Sequence, residues 1–251
     1  MSICSLHDRI ASGEAAGIGA GLARGALRVA SVPYRLGSSL LEILRTGQGG
    51  TAVELPVISV GNLTVGGTGK TPFVALVVTE LRKRGLRPVV LSRGYKSRGA
   101  AHNDEARALA RTFPDLIHLQ GKDRVELAWR VAAGRMGDVI VLDDGFQYHA
   151  LERDLDVCLI DATNPFGYGA VLPRGLLREP LTSLYRARPV VITRAELVPA
   201  ERLGEIRAEI LRWNEHAKIV VSEMALTRLT DVEGAAQGDA SALAGRRVDL
   251  A

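Results

Sequence analysis

The chain has 251 residues, 47% hydrophobic and 24% charged, which suits a soluble or peripheral globular protein of one or two domains with a substantial core. Two cysteines, Cys4 and Cys158, exclude a disulfide framework, show no metal-ligand spacing and point to a reducing compartment. A net charge of +4 is compatible with anionic partners but too weak to imply nucleic acid.

Residues 11–45 form a leader. Ile18, Leu22, Val29, Leu36, Leu40 and Leu44 recur at helical spacing on one face, and Arg24, Arg28 and Arg35 fall nearly opposite. Charges interrupt the stretch too often for a membrane span, which needs about 20 mainly apolar residues. It also lacks the compact apolar region and cleavage site of a signal peptide. Gly13, Gly17, Gly19, Gly21 and Gly25 weaken it as a free helix, and Pro33 is expected to kink or divide it. The pattern fits an interfacial helix on anionic lipid, or an amphipathic helix packed on the protein.

An α/β pattern follows. Apolar runs at 56–60, 88–92, 116–119, 139–142, 156–160, 189–193 and 218–221 read as buried strands. Helix-length mixtures such as 71–84, 104–112 and 123–133 lie between them. Continuous apolar strands alternating with helices predict a parallel β-sheet flanked by helices on both faces, with ligands beyond the C-terminal strand ends. Cys158 lies inside one such strand and is expected to pack as a small hydrophobe.

The first strand opens into V-G-N-L-T-V-G-G-T-G-K-T-P, residues 60–72. Strand, glycine loop and helix N-terminus in that order make a phosphate cradle, with inward amides, a helix dipole and the Lys70 ammonium. The nucleotide loop comprises Thr64, Val65, Gly66, Gly67, Thr68, Gly69, Lys70 and Thr71, with the Thr71 hydroxyl suited to a Mg²⁺ on the phosphates. Thr64 stands where the strict G-x-x-x-x-G-K-[ST] pattern has its first glycine.

The second strand ends in S-R-G-Y-K-S-R-G, a basic loop in which Arg93 and Tyr95 suit an anionic or sugar-containing substrate, or simply a solvated turn. His102-Asn103-Asp104-Glu105 opens a helix; Asn103 suits an N-cap, and Asp104 is either a dipole-matched acid or an active-site carboxylate. The run 139–142 ends in Asp143-Asp144-Gly145-Phe146-Gln147, the form of a Walker B element whose acids hold Mg²⁺ directly or through water. In L-P-R-G-L-L-R-E-P, Arg178 is suited to stabilise a transferring phosphoryl group and Glu179 to orient it or approach the metal. Thr193-Arg194-Ala195-Glu196 is a poor match to a guanine-reading motif.

In this order, V-G-N-L-T-V-G-G-T-G-K-T-P, L-S-R-G-Y, N-D-E-A, D-D-G-F-Q and L-L-R-E-P-L closely resemble tetraacyldisaccharide 4'-kinase, the lipid A 4'-kinase of Gram-negative bacteria. The resemblance runs from about Leu22 to the end of the chain. It implies a P-loop kinase core at 51–225, a membrane-associated amphipathic segment at 1–50, and a linker with the start of an incomplete C-terminal lobe at 226–251. The implied reaction is transfer of phosphate from ATP, with Mg²⁺, to a lipid A precursor disaccharide, on the cytoplasmic face of the inner membrane. No nucleic acid or protein partner is implied.

Carried over by residue, Lys70 serves the phosphates and catalysis, and Thr71, Asp143, Asp144 and Glu179 the metal. Asp104 takes the place of the catalytic base, Arg178 assists, and Arg93, Tyr95, Gln147 and His149 face the substrate. Three departures stand out. Asn103 and Ala106 replace the Gly and Pro of the family's G-D-E-P; Tyr148 occupies the place of a His, with His149 next to it. The chain stops at Arg246–Ala251, which reads as the start of a strand, before the family's G-I-G-N-P and Asp-His-His segments. If the chain is natively this short, ATP binding with weak or absent turnover is expected. The alternatives are a metallochaperone-type GTPase or ATPase, which commonly carries a lysine where this chain has Val65, and a nucleotide-binding module without turnover.

Overall fold

All seven apolar runs become strands of one parallel sheet: β1 (Val57–Asn62), β2 (Pro88–Ser92), β3 (Ile117–Gln120), β4 (Val139–Asp143), β5 (Leu155–Asp161), β6 (Val190–Thr193) and β7 (Ile219–Val221). Their spatial order is β3-β2-β4-β1-β5-β6-β7. The computed structural model describes residues 3–47, 49–94, 104–224, 229–230 and 236–238. The expected strand at 246–251 and most of the expected 226–251 unit lie outside the described residues. Within that unit, β8 (Leu229–Thr230) and β9 (Ala236–Gly238) form an antiparallel ribbon.

Buried strands alternate their side chains between two covered faces. On one face Val60, Val90, Val141, Leu159 and Val191 meet Val74 and Val78 of α3 (Lys70–Lys83) and Leu109 of α4 (Asp104–Thr112). On the other, Val89, Leu91, Ile140 and Leu142 pack against Leu127, Ala128 and Val131 of α5 (Arg124–Ala133). Farther along that face, Cys158, Ile160 and Ile192 meet Ile206 and Ile210 of α6 (Ala200–Trp213). Cys158 is fully buried and its thiol pKa is driven far up by desolvation, so it packs as an inert hydrophobe, as expected.

The chain leaves β1 for α3 and β2 on one side of the sheet and leaves β4 for β5 on the other. The β1–β4 junction is therefore the topological switch point, where open parallel sheets bind ligands. Register places Val60 beside Asp143, bringing the strand that feeds the glycine loop level with the strand that ends in acids.

The leader folds as α2 (Ile18–Gly47), and α1 (Ile3–Ser12) precedes it. Pro33 lies inside α2 without dividing it. Val29, whose carbonyl Pro33 leaves without its usual intrahelical donor, sits on the exposed side, where water substitutes for that donor.

The face α2 turns inward sets a polar seam, Ser31 and Tyr34, beside the partly buried Ala20, Ala23 and Leu27. Ser31 Oγ donates to the Val171 carbonyl at 3.2 Å and accepts from Arg174 N at 3.0 Å, while Tyr34 Oη donates to the Arg178 carbonyl at 3.0 Å. From α1, the Ala11 carbonyl accepts from Arg174 at 2.9 Å. The apolar stripe faces out: Ile18 is 86% exposed, Leu22 71%, Val29 72% and Leu36 67%. Among the described residues, no helix is long and apolar enough to cross a membrane.

Candidate active site

The glycine loop is built to leave backbone amides open. Gly66 has φ +116° and Gly69 φ +81°, values that side-chain-bearing residues rarely adopt, and Gly69 precedes α3 without a side-chain cap. A Cβ added at Gly66 or Gly67 would meet no atom within 4 Å, so open space faces the loop. Its far side is fixed by β6, whose Thr193 Oγ1 donates to the Thr68 carbonyl at 3.0 Å. Arg194 pairs with Asp161, so the 193–196 stretch braces the loop and β5.

Asn62, at the end of β1, ties the loop together. Its Nδ2 donates to the Thr64 carbonyl at 2.7 Å, and its Oδ1 accepts from Lys70 Nζ at 3.3 Å. This holds the ammonium over the cradle, with the Lys70 side chain 10% exposed and its Nζ 3.8 Å from Asp144 Oδ1.

The acid-bearing turn approaches β1 closely because two glycines permit it. A Cβ on Gly61 would lie 2.6 Å from Phe146 Cβ, and one on Gly145 would lie 2.5 Å from Ser59 Oγ. Gly145 N donates to the Val60 carbonyl at 3.0 Å, and Gln147 Nε2 to the Asn62 carbonyl at 2.8 Å. Asp143 is buried at the end of β4, and Asp144 takes the left-handed φ of +52°. That conformation aims consecutive acids differently and is tolerated by Asp. Burial pushes the Asp144 pKa up, but Arg178 and Lys70 outweigh it and hold the carboxyl below the usual aspartate range.

Arg178 arrives on a loop that docks alongside the glycine loop. Thr64 bridges antiparallel to Leu177, Val65 N donates to the Leu176 carbonyl at 2.8 Å, and Arg178 N to the Leu63 carbonyl at 2.7 Å. Gly175 makes that turn possible, since a Cβ there would meet the Ala170 and Gly167 carbonyl oxygens at 2.3 and 2.4 Å. The Arg178 guanidinium then reaches both Asp144 oxygens, at 3.0 and 2.8 Å, and Gln147 Oε1 at 3.3 Å.

Behind this turn lies an ionic layer. Arg186 pairs with Glu179, donates to the Phe146 carbonyl at 3.1 Å and stacks 4.0 Å over the Phe146 ring. His149 is buried with its Nε2 3.7 Å from Glu179 Oε1. Burial raises the Glu179 pKa, but His149 and Arg186 together bring it below the ordinary glutamate value. Tyr148, at the position of the family's His, is structural: its hydroxyl accepts from the amides of Arg124 and Val125 at 3.0 and 3.3 Å. Its ring carries the Arg124 guanidinium at 4.0 Å, and Arg124 donates to the Asp143 and Asp144 carbonyls at 3.3 and 3.1 Å.

A single cleft of about 1080 Å³ is lined by Val65, Gly66, Lys70, Arg93, Asp143, Asp144, Gln147, His149, Arg178 and Glu179, all singled out from the sequence. Tyr34, Ala106 and Arg124 line it as well. Thr64 and Thr68 are buried within the loop, and Thr71 is half-buried in the first turn of α3. Asp104 opens α4, two residues before the cleft-lining Ala106; its side chain, like all of Tyr95, lies outside what the structure describes. Among the described residues, no group of three or more His, Cys, Asp or Glu side chains is arranged around a metal position. The sequence reading missed Asn62, Arg124, Arg186 and Tyr34. The only cue was Asn62 itself, a polar residue between a buried strand and a glycine loop.

The comparisons with known proteins agree with this arrangement. A family model described as tetraacyldisaccharide-1-P 4'-kinase (LpxK) matches residues 23–250. A tetraacyldisaccharide 4'-kinase of Anaeromyxobacter dehalogenans is 42% identical over 246 residues, covering 90% of this chain and 64% of its own length. One from Geobacter metallireducens is 44% identical over 214 residues, covering 73% of this chain and 63% of the relative. The chain thus spans just under two thirds of the length of these curated relatives. The crystal structure of "apo" form LpxK from Aquifex aeolicus in complex with ATP superposes with a TM-score of 0.65 and 27% identity, over 82% of this chain and 66% of that one. With the family model spanning nearly all of it, this chain belongs to the tetraacyldisaccharide-1-P 4'-kinase family.

Proposed function

We propose that this protein transfers phosphate from ATP to a sugar hydroxyl, the 4'-hydroxyl of a tetraacyl disaccharide 1-phosphate, in lipid A biosynthesis. The observation that carries the reading is the meeting of Lys70, Asp144 and Arg178 at the mouth of the glycine loop, within 4 Å of one another through Asp144. The relatives named tetraacyldisaccharide 4'-kinase, and the Aquifex aeolicus structure described as an ATP complex, support the donor and acceptor. A guanine-reading GTPase is disfavoured, because Thr193 and Arg194 are engaged with the loop and with Asp161.

The residues fit both ATP and Mg²⁺. Open glycine amides, an uncapped helix start and a lysine are hydrogen-bond donors that suit phosphate oxygens; Thr71, Asp143 and Asp144 are hard oxygen ligands of the kind that a largely hydrated Mg²⁺ takes. When bound, ATP supplies the phosphoryl group and Mg²⁺ neutralises its oxygens. The chain's own part is positioning and charge: Lys70 and Arg178 offset negative charge on the phosphoryl oxygens, and Asp104 accepts the proton of the attacking hydroxyl. The test is single-turnover transfer of labelled γ-phosphate to the lipid disaccharide. Asp104→Asn is expected to retain ATP affinity within about threefold while transfer falls about 10²- to 10⁴-fold. Collapse of ATP affinity would instead place Asp104 in the nucleotide site.

The second part of the proposal is location: α2 lies on the cytoplasmic face of the inner membrane with its apolar stripe in the bilayer. Support comes from the exposed Leu22, Val29 and Leu36 beside the solvent-facing Arg28 and Arg35. Leu22→Glu with Leu36→Glu is expected to abolish sedimentation with phosphatidylglycerol-containing vesicles while leaving the melting midpoint unchanged, since neither side chain packs in the core. Unchanged sedimentation would refute the placement.

A further inference from the structure

The polar seam of α2 terminates on the loop that carries Arg178, and the two ends of that residue's backbone are held by different parts of the molecule. Its N–H is taken by the Leu63 carbonyl at 2.7 Å, where β1 runs into the glycine loop. Its C=O is taken by Tyr34 Oη at 3.0 Å, from a tyrosine that itself lines the cleft. One turn earlier along α2, Ser31 tethers the same loop at Val171 and Arg174, well before Arg178 in the chain. With its N–H and its C=O both held, the Arg178 Cα, from which the guanidinium reaches Asp144 and Gln147, keeps one orientation, and among the described hydrogen bonds the one restraining that carbonyl comes from Tyr34.

We infer that Tyr34 is a positioning residue for the reaction: by holding the Arg178 carbonyl, it sets where the Arg178 guanidinium stands between Asp144 and the phosphates. This makes α2 a wall of the working cleft in addition to a surface helix. The inference rests on the nucleotide reading of the cleft, since it assigns Arg178 to the phosphates.

The test uses the whole chain with Tyr34→Phe, Ser31→Ala, Arg178→Ala and the Tyr34→Phe/Arg178→Ala double variant. ATP affinity is read by titration calorimetry, and phosphate transfer under single-turnover conditions. Tyr34→Phe keeps the ring and removes only the hydroxyl. It is expected to weaken ATP binding and slow transfer by about three- to tenfold, the size of one hydrogen bond, at an unchanged melting midpoint. In the Arg178→Ala background the same change is expected to add nothing, the signature of two residues acting as one. Ser31→Ala, which cuts a tether of the same helix away from Arg178, is expected to bind ATP as the wild type does, whatever it costs in stability.

Three results would overturn the assignment: wild-type behaviour of Tyr34→Phe, an effect that persists in full without Arg178, or an equal effect from Ser31→Ala. ATP binding without any transfer would defeat the proposed reaction while the affinity cycle still decided the role of Tyr34. A wild-type chain that bound no ATP would defeat both.

Discussion

Lys70→Ala is expected to weaken ATP binding by about 10- to 100-fold and to reduce phosphoryl transfer below detection. The lysine side chain is nearly buried, its ammonium is steadied by Asn62 Oδ1, and it stands 3.8 Å from Asp144 where the glycine amides open. A charge-assisted hydrogen bond in such a place is worth about 1.5–3 kcal/mol in binding. Its loss in the transition state, where phosphoryl charge shifts, costs about another 10²- to 10³-fold. The melting midpoint must be checked alongside, because Asp144 is left with Arg178 as its main counter-charge. ATP titration at matched folded fraction separates the two effects. Affinity indistinguishable from wild type would mean that the phosphates bind elsewhere.

Asp144→Asn carries the second large effect. Asparagine tolerates the left-handed backbone at this position as aspartate does, so the substitution isolates charge from strain. Without the carboxylate, Lys70 and Arg178 face each other unscreened, and the anionic oxygen proposed for Mg²⁺ becomes a neutral amide oxygen; turnover is expected to fall by about 10²- to 10³-fold. The stability effect has a definite pH signature. Because Arg178 and Lys70 outweigh burial and keep the folded pKa below its unfolded value, the stabilisation is complete above the ordinary aspartate range. It is lost as pH falls through the lowered value. Urea midpoints of wild type and variant are therefore expected to differ most near pH 7 and to converge as pH drops below about 4. A gap that widened on acidification would contradict the ion-pair geometry.

How much of this could be read from the chain depends on the range of the interactions. The seven strands were visible because each is a short apolar run closed by a turn, and β2 falls on the residues expected. The helix expected at 104–112 does likewise. The glycine loop and the acid pair were visible because their chemistry needs particular residue types at fixed spacing. What joins them was not. The placement of Arg178 depends on an antiparallel bridge between Thr64 and Leu177, and the acid turn depends on Gly61 yielding to Phe146; both pair residues far apart in the chain. Arg186 reaches Phe146 and Glu179 from outside any motif. For α2, the period showed an apolar face but left open which face meets the protein. Ser31 and Tyr34 decide it, because a polar seam can satisfy the backbone carbonyls of the 171–178 loop and an apolar one cannot.

The most direct test of the central claim, that the β1–β4 junction grips the phosphates of ATP, is equilibrium titration of the wild-type chain with ATP, with and without Mg²⁺, beside GTP. Saturable one-to-one binding of ATP, tightened by Mg²⁺ and favoured over GTP, is the predicted result. No binding, or a preference for GTP, would contradict it.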